Sequence, residues 1–200
     1  MALKFSERTI ENFRSKLTGG GARSNLFEVD MTYPDGIKDK IGTAIDDGQF
    51  LIKAAEIRAA NIGNIPVPYR GRILPVAGDR TFDPWTITVI NDTDFSIRNA
   101  MEEWSNFIND IQTNQGSADP ASYQTNATVK QLSRDGKADE DTEIPILRTY
   151  KFEGIYPNAV SSIPLDYGAT DQIQEFQVTF NYLFYEIQGD KDGTGASLVE

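Results

Sequence analysis

Apolar and polar residues alternate over a long stretch near the C-terminal end of the chain. Between Ile173 and Ile187, the even positions from 176 to 184 are Phe, Val, Phe, Tyr and Phe, whereas Glu175, Gln177, Thr179 and Asn181 are polar. A period of two is typical of a β-strand buried on one face. Such a strand, at about 3.4 Å per residue, runs roughly 50 Å, which is longer than a compact domain is thick. We therefore predict that it bends or extends beyond its own core.

Other segments show the same pattern over shorter lengths. The clearest is Trp85 to Asn91, which places Trp85, Ile87 and Val89 on one face. Further strands are predicted at 25–33, 50–57, 65–74, 125–134, 146–154 and 163–167, with turns at 34–36 and 157–162. Prolines confine parts of 65–74 to an edge or a bend. Because no strand–helix–strand repeat is present, the strands predict an antiparallel sheet.

One long helix is predicted after the strand that contains Trp85. Asp92 or Asp94 can cap it. Its apolar stripe repeats at steps of four and three and consists of Ile97, Met101, Trp104, Ile108 and Ile111. We interpret this stripe as core packing and not as a binding groove.

A short amphipathic helix is predicted at 5–18, with Ser6 as its N-cap and an apolar stripe of Ile10, Phe13 and Leu17. Three glycines at 19–21 end it. The helix either swings out as an arm or folds back on the core. We read Pro34 to Gln49 as a long loop or loosely held hairpin, and expect this segment and the arm to become ordered only against an adjacent copy.

The predicted fold is mainly β: an antiparallel β-sandwich or barrel with one long packed α-helix and a short N-terminal helix. It comprises a helical arm and glycine hinge at 1–21, one β domain at 22–188, and a flexible tail at 189–200. Unpaired strand edges in such a sheet must be covered, charged or paired with another chain. The sequence therefore favours a structural protein that self-assembles.

Composition restricts the chemistry of the chain. None of the 200 residues is cysteine or histidine, which excludes disulfides, thiolate nucleophiles, Ser-His dyads and zinc sites with nitrogen or sulfur ligands. The formal charge of −11 disfavours binding to phosphate backbones. We expect no signal peptide and no membrane anchor, because the apolar runs are short and broken by charge.

The candidate catalytic and metal sites are weak. Asp190 to Gly195 and the acidic run at 139–143 could hold a cation, but both are more typical of solvent-facing charge. Asp79 and Arg80, in the stretch Gly78 to Asp83, could act on a substrate. We prefer a turn locked by an arginine–carboxylate bond, with Gly78 in an unusual backbone conformation and Phe82 and Trp85 as core anchors. No catalytic residue, metal or cofactor is predicted.

The segment Val76 to Asp92, VAGDRTFDPWTITVIND, resembles the tail tube proteins of T4-type contractile-tailed bacteriophages. Its central motif consists of Gly78, Asp79, Arg80, Thr81, Phe82 and Trp85. Further similar stretches follow in the same order at 22–29, 129–134, 154–157 and 173–178, so the resemblance covers about 22–185. The arm before Ala22, the longer connection at 34–49 and the tail after Gln188 depart from the family pattern.

The resemblance implies a subunit that closes into hexameric rings, whose sheets join into a continuous inner barrel and which stack into the tube of a contractile tail. Its expected partners are further copies of itself and the tail sheath, baseplate and tail terminator proteins. DNA would pass through without specific binding, and the expected location is the virion tail, assembled in the host cytoplasm. The candidate lumen face is Glu175, Gln177, Thr179 and Asn181. The alternatives are the tube of a type VI secretion-like system, or a carboxylate-based enzyme or carbohydrate-binding sandwich.

Overall fold

The computed structural model describes residues 9–17, 21–42, 50–57, 60–134 and 145–188. The helices are α1 (Ile10–Lys16), α2 (Ser96–Ile108) and α3 (Pro120–Tyr123), with a 3-10 helix at Asp35–Ile37. The strands are β1 (Phe27–Met31), β2 (Ile52–Ala55), β3 (Ala60–Tyr69), β4 (Arg72–Phe82), β5 (Trp85–Ile90), β6 (Thr125–Leu132), β7 (Ile146–Val160), β8 (Glu175–Asn181) and β9 (Phe184–Gln188). The predicted mainly β, antiparallel fold with one long helix is confirmed.

One seven-stranded sheet carries the fold, in the order β1-β6-β7-β8-β5-β2, with β9 also paired to β7. The first half of β7 pairs with β6 and β9, whereas its second half pairs with β8. The strand β7 is therefore shared between two half-sheets. We call β1, β6, the first half of β7 and β9 the first half-sheet, and the remaining strands the second. The strands β3 and β4 form a separate two-stranded ribbon.

The long alternating segment bends, as its length predicted. It divides into β8 and β9, which pair in continuing register with β7: Tyr156 lies opposite Asn181, and Glu153 lies opposite Phe184. The bend lies opposite Gly154, which has a φ of 66°. A Cβ at Gly154 would lie 2.6 Å from the Cδ1 atom of Leu183. Only glycine fits here, since the backbone angle and the close side chain both disfavour a larger residue.

The core lies between the half-sheets and centres on Trp85, which is fully buried. Its ring stacks on Phe152 with centroids 4.6 Å apart, and its Nε1 donates to the Glu56 carbonyl at 3.0 Å. The predicted inward positions Ile87 and Val89 are also fully buried. The Trp85 ring therefore packs fully within the core, and its buried N–H group still has a hydrogen-bond acceptor.

The helix α2 closes one end of this core. Its N-cap is Phe95, which has a left-handed conformation and no side-chain cap hydrogen bond, and not Asp92 or Asp94 as predicted. Asp92 still contacts the first turn, because its carboxylate accepts from both the Ser96 amide and the Ser96 hydroxyl. Ile97, Ala100, Met101 and Trp104 are buried. Ile111 was wrongly placed on this stripe: the helix ends at Ile108, and Ile111 lies beyond it with 89% of its surface exposed.

Several predicted elements were wrong, and prolines and glycines account for most of the errors. The segment 65–74 is the tip of a hairpin that turns at Arg70 and Gly71, both with positive φ. Pro157 lies within β7 and not in a turn, and 163–167 is irregular and not a strand. The segment after Pro34 is not loosely held in its described part, because Ile37 and Ile41 are core residues.

The N-terminal helix is shorter than predicted. It begins at Ile10, and its N-cap is Thr9, whose hydroxyl accepts from the Asn12 amide at 3.3 Å. Ile10, Phe13 and Leu17 are all exposed, so the stripe does not fold back on the core. The predicted N-cap at Ser6, the acidic connection at 135–143 and the tail at 189–200 lie outside the described residues.

We predict that Trp85→Ala lowers the free energy of unfolding by about 3–5 kcal/mol, since it removes a fully buried aromatic ring and leaves a cavity. Urea denaturation of the unassembled protein measures this loss. The matched control is Phe82→Ala, which removes a half-buried ring outside the buried core and should cost less. A loss from Phe82→Ala equal to or larger than that from Trp85→Ala would contradict the assignment of the core.

Candidate assembly surfaces

The motif from Gly78 to Phe82 lies in β4 and is not a turn. Gly78 has no positive φ; instead, a Cβ there would meet the Gly63 carbonyl oxygen at 3.2 Å. Its role is thus a close approach of two backbones at the irregular register between β3 and β4. Within the described part of the chain, Arg80 forms no ion pair, so the predicted arginine–carboxylate lock is wrong.

The base of the ribbon is held to the sheet by aromatic contacts. The Phe82 ring lies 5.8 Å from the Tyr182 ring and 5.7 Å from the Tyr185 ring, measured between centroids. Asn61, on the paired strand, donates to the Asp83 carboxylate at 2.9 Å. These contacts fix where the ribbon leaves the domain, and the motif is therefore a joint between ribbon and sheet.

The predicted polar set on β8 lies on one face, as the alternation required. Glu175 and Gln177 are exposed, Thr179 and Asn181 are half-buried, and the intervening residues are buried. Glu175 pairs with Lys53 at 2.6 Å. The Asn181 amide donates to the Tyr156 hydroxyl at 3.2 Å. This face is close to electrically neutral and is largely occupied by hydrogen bonds within the chain.

A second polar face covers the first half-sheet, and here the side chains form a ladder of charges. Lys130 on β6 lies between two β1 carboxylates: it pairs with Glu28 at 3.1 Å and also with Asp30. Lys151 on β7 pairs with Glu153 at 2.5 Å and lies opposite Glu186 of β9. We call these six residues the charge ladder. Each of its lysines has two carboxylates as neighbours.

The ladder stabilises the charged form of both lysines. Hydrogen bonding to Asp30 has the largest effect and raises the pKa of Lys130. Burial opposes this rise, and hydrogen bonding to Glu28 adds to it. Hydrogen bonding and attraction to Glu153 likewise raise the pKa of Lys151. Both lysines therefore stay protonated at neutral pH, with their charge offset by neighbouring acids.

The edges of the first half-sheet are open within the described residues. The strand β1 pairs with β6 on one side, and β9 pairs with β7 on one side. Neither strand contains a proline or an irregular register. Such regular edges present unsatisfied N–H and C=O groups to a further strand.

The described residues provide no other obvious chemistry. Within them, no group of three acidic side chains could hold a metal ion. The described helices include none that is both long and apolar enough to cross a membrane. Taken together, the bent antiparallel sheet, the polar outer faces and the open regular edges define a structural β-protein.

Comparison with known proteins identifies the family. The sequence model described as "Phage tail tube protein" matches residues 22–188, and the chain belongs to this family. It is 32% identical to tail tube protein gp19 of Enterobacteria phage T4 over 173 residues, which covers 84% of this chain and 93% of that protein. It is 28% identical to the tail tube protein of Serratia phage KSP90, over 87% of this chain and 94% of that protein.

Solved structures share the fold at low sequence identity. A chain from the sheath–tube complex of an extracellular contractile injection system has a TM-score of 0.53 at 13% identity, covering 94% of this chain and all of that one. A chain from the tube-terminating cap of the anti-feeding prophage has a TM-score of 0.55 at 18% identity, with 95% of each chain covered. The solved structures agree in fold, and the family match with its phage relatives identifies a tail tube protein of a contractile phage tail, located in the virion tail.

Sequence reasoning missed the charge ladder and the two open edges. The ladder forms only after β1, β6, β7 and β9 align, because its members are far apart in the chain. One sequence signal could have revealed it. Glu28 and Asp30 are two residues apart and therefore lie on one face of a predicted strand, and Lys130 lies in another predicted strand. Without the register, that pattern cannot be distinguished from ordinary solvent-facing charge.

Proposed function

We propose that six copies of this chain close laterally into a ring, and that the rings stack into the hollow inner tube of the tail. The observation that carries this proposal is the pair of open, regular edges on the first half-sheet. Joining β9 of one copy to β1 of the next satisfies both edges. A ring leaves neither edge of the first half-sheet unpaired, which removes the hazard that these exposed edges otherwise create.

The strand directions support this closure. Along the first half-sheet each strand is antiparallel to its neighbour, from β1 through β6 and β7 to β9. Because the number of strands is even, β9 of one copy runs opposite to β1 of the next. The new junction is therefore antiparallel, like every other pairing in the barrel, and needs no crossover connection.

The second half-sheet is less suited to the same role. Its edge strand β2 has only four residues and an irregular register against β5. The second half of β7 contains Pro157 and a register shift between Pro157 and Ala159. Short strands, prolines and bulges are the features with which proteins block edge pairing. We therefore assign the inner barrel to the first half-sheet.

This assignment places the charge ladder on the wall of the lumen. DNA binds cationic side chains because neutralised phosphates release counterions. In the ladder, each lysine already has carboxylate neighbours, so the ladder itself offers no unpaired cation and the DNA would pass it without specific binding. The β8 set of Glu175, Gln177, Thr179 and Asn181, predicted from sequence, is the competing candidate for the wall.

The tail sheath, baseplate and terminator proteins are the further partners in this proposal. Its support is the fold shared with chains from a sheath–tube complex, a baseplate and a tube-terminating cap. The arm at 1–21 would lie outside the tube body at 22–188 and reach an adjacent ring. We assign the chain a structural role and no catalytic one, since its relatives are tail tube proteins.

We expect purified protein to form rings or hollow tubes when concentrated or given a nucleating ring, since ordered self-association satisfies the open edges. Electron microscopy and analytical ultracentrifugation check this outcome. Replacing Ile187 of β9 with proline supplies the matched variant, because proline removes an amide at the edge. Its assembly should fail. A monomer at every concentration and salt tested, with no rings by microscopy, would refute the proposal.

The two candidate lumen faces are distinguished by a pair of charge reversals. We expect Glu153→Lys tubes to retain short double-stranded DNA at low salt, because the variant places an uncompensated cation on the wall. Glu175→Lys is the matched control and should retain none. The measurement is the nuclease-resistant DNA that sediments with tubes at 50 and 200 mM salt, typical conditions for resolving phosphate binding. Retention by Glu175→Lys alone would assign the lumen to the β8 face.

A further inference from the structure

The ribbon of β3 and β4 exposes apolar side chains that the described part of its own chain leaves uncovered. Two cross-strand pairs lie on one face, Ile65 with Val76 and Val67 with Leu74. All four side chains are exposed, with 42–61% of their surface accessible. A two-stranded hairpin is marginally stable by itself in water. This apolar face, defined by the four residues, therefore needs a surface to cover it.

Prolines determine how the ribbon can be covered. The tip is a two-residue turn at Arg70 and Gly71, closed by the pair Tyr69 and Arg72. Counting from this hydrogen-bonded pair, the non-hydrogen-bonded positions are Pro68 with Ile73 and Pro66 with Pro75. The nitrogens at these positions point away from the ribbon, and three of the four belong to proline. The edges near the tip cannot add a strand, so the ribbon binds through its apolar face.

The ribbon also differs in charge from the rest of the chain. Residues 60–82 contain three arginines and one aspartate, whereas the whole chain has a net charge of −11. Arg70 and Arg72 lie at the tip, and among the described residues neither forms an ion pair. The complementary partner is therefore an apolar surface that carries acidic groups.

The same chain presents such a surface at 163–175. A groove of about 460 Å³ lies there between the end of β7 and the start of β8. Its apolar lining consists of Ile163, Leu165, Tyr167 and Ile173, and its acidic lining consists of Asp166 and Glu175. Leu165, Tyr167 and Ile173 are strongly exposed. Within the described ranges Asp166 forms no ion pair, and its carboxylate accepts only from the Gly168 amide of its own turn.

We propose that the apolar face of one copy's ribbon docks into the 163–175 groove of a second copy, with Arg70 and Arg72 near Asp166. Contact between two different patches is heterologous and repeats from copy to copy, as in a ring or a filament. This contact rests on the proposed self-association. It would add to the pairing of β1 with β9, because the ribbon is not part of either edge strand. It also covers Glu175, in agreement with a lumen lined by the charge ladder.

Cysteine cross-linking tests this contact directly, because the natural sequence contains no cysteine. The variant Leu74→Cys with Leu165→Cys places one thiol on the apolar face and one in the groove. We expect mild oxidation of tubes formed by this variant to give a series of covalent oligomers on a denaturing gel. A disulfide needs Cβ atoms about 4 Å apart, so it reports contact and not mere proximity.

The matched control is Ile73→Cys with Leu165→Cys, because Ile73 is next in sequence, similarly exposed, and on the opposite face. It should remain monomeric on the gel. A third pair, Leu74→Cys with Phe13→Cys, tests the exposed stripe of α1 as the acceptor. Cross-linking of this third pair alone would overturn the proposal. Intact tubes in which Leu74→Cys with Leu165→Cys gives no covalent oligomers would overturn it too.

A second pair of variants covers the case in which cysteines prevent assembly. Leu74→Ser should abolish tubes, whereas Ile73→Ser should leave them intact, with both unassembled proteins melting at the temperature of the natural chain. Equal assembly by the two variants would overturn the proposed face. If the natural chain itself forms no tubes, the proposed function fails instead, so the two failures are distinguishable.

Discussion

The fold depends on β7 belonging to both half-sheets. Its first half pairs with β6 and β9, and its second half pairs with β8. Between them lies Gly154, whose positive φ and missing side chain allow β8 and β9 to bend together with it. The bend brings Phe152 of the first half-sheet against Trp85 of the second half-sheet. The core and the position of both outer faces follow from this one shared strand.

Sharing one strand also decides which surfaces remain available. The second half-sheet ends in a short, irregular β2 and in the proline-containing part of β7, so its edges resist pairing. The first half-sheet ends in two regular strands, β1 and β9. The chain therefore combines blocked edges with open ones, and the prolines of the ribbon extend the same arrangement beyond the sheet. In the proposed assembly, the open edges direct where copies join and the blocked edges limit wrong contacts.

Alternation in sequence predicted much of this fold. It identified the faces of β5 and β8 and the helix α2, because each depends on local periodicity. Sequence prediction failed where a residue type has two structural uses. Pro157 suggested a turn but lies in a strand, and Gly78 suggested an unusual backbone conformation but allows the backbone of Gly63 to approach closely. The charge ladder could not be predicted, since it depends on the register of four strands. The family resemblance supplied the function, which no single site could have shown.

The central claim is that copies join through β1 and β9, and hydrogen exchange of backbone amides tests it most directly. Outward amides of Phe27–Met31 and Phe184–Gln188 should exchange rapidly in the unassembled protein and slowly in tubes, because they acquire partners only on closure. Amides of α2 are the internal reference and should be protected in both states. Protection of β1 and β9 that is equal in the two states, with tubes verified by microscopy, would contradict closure through these edges.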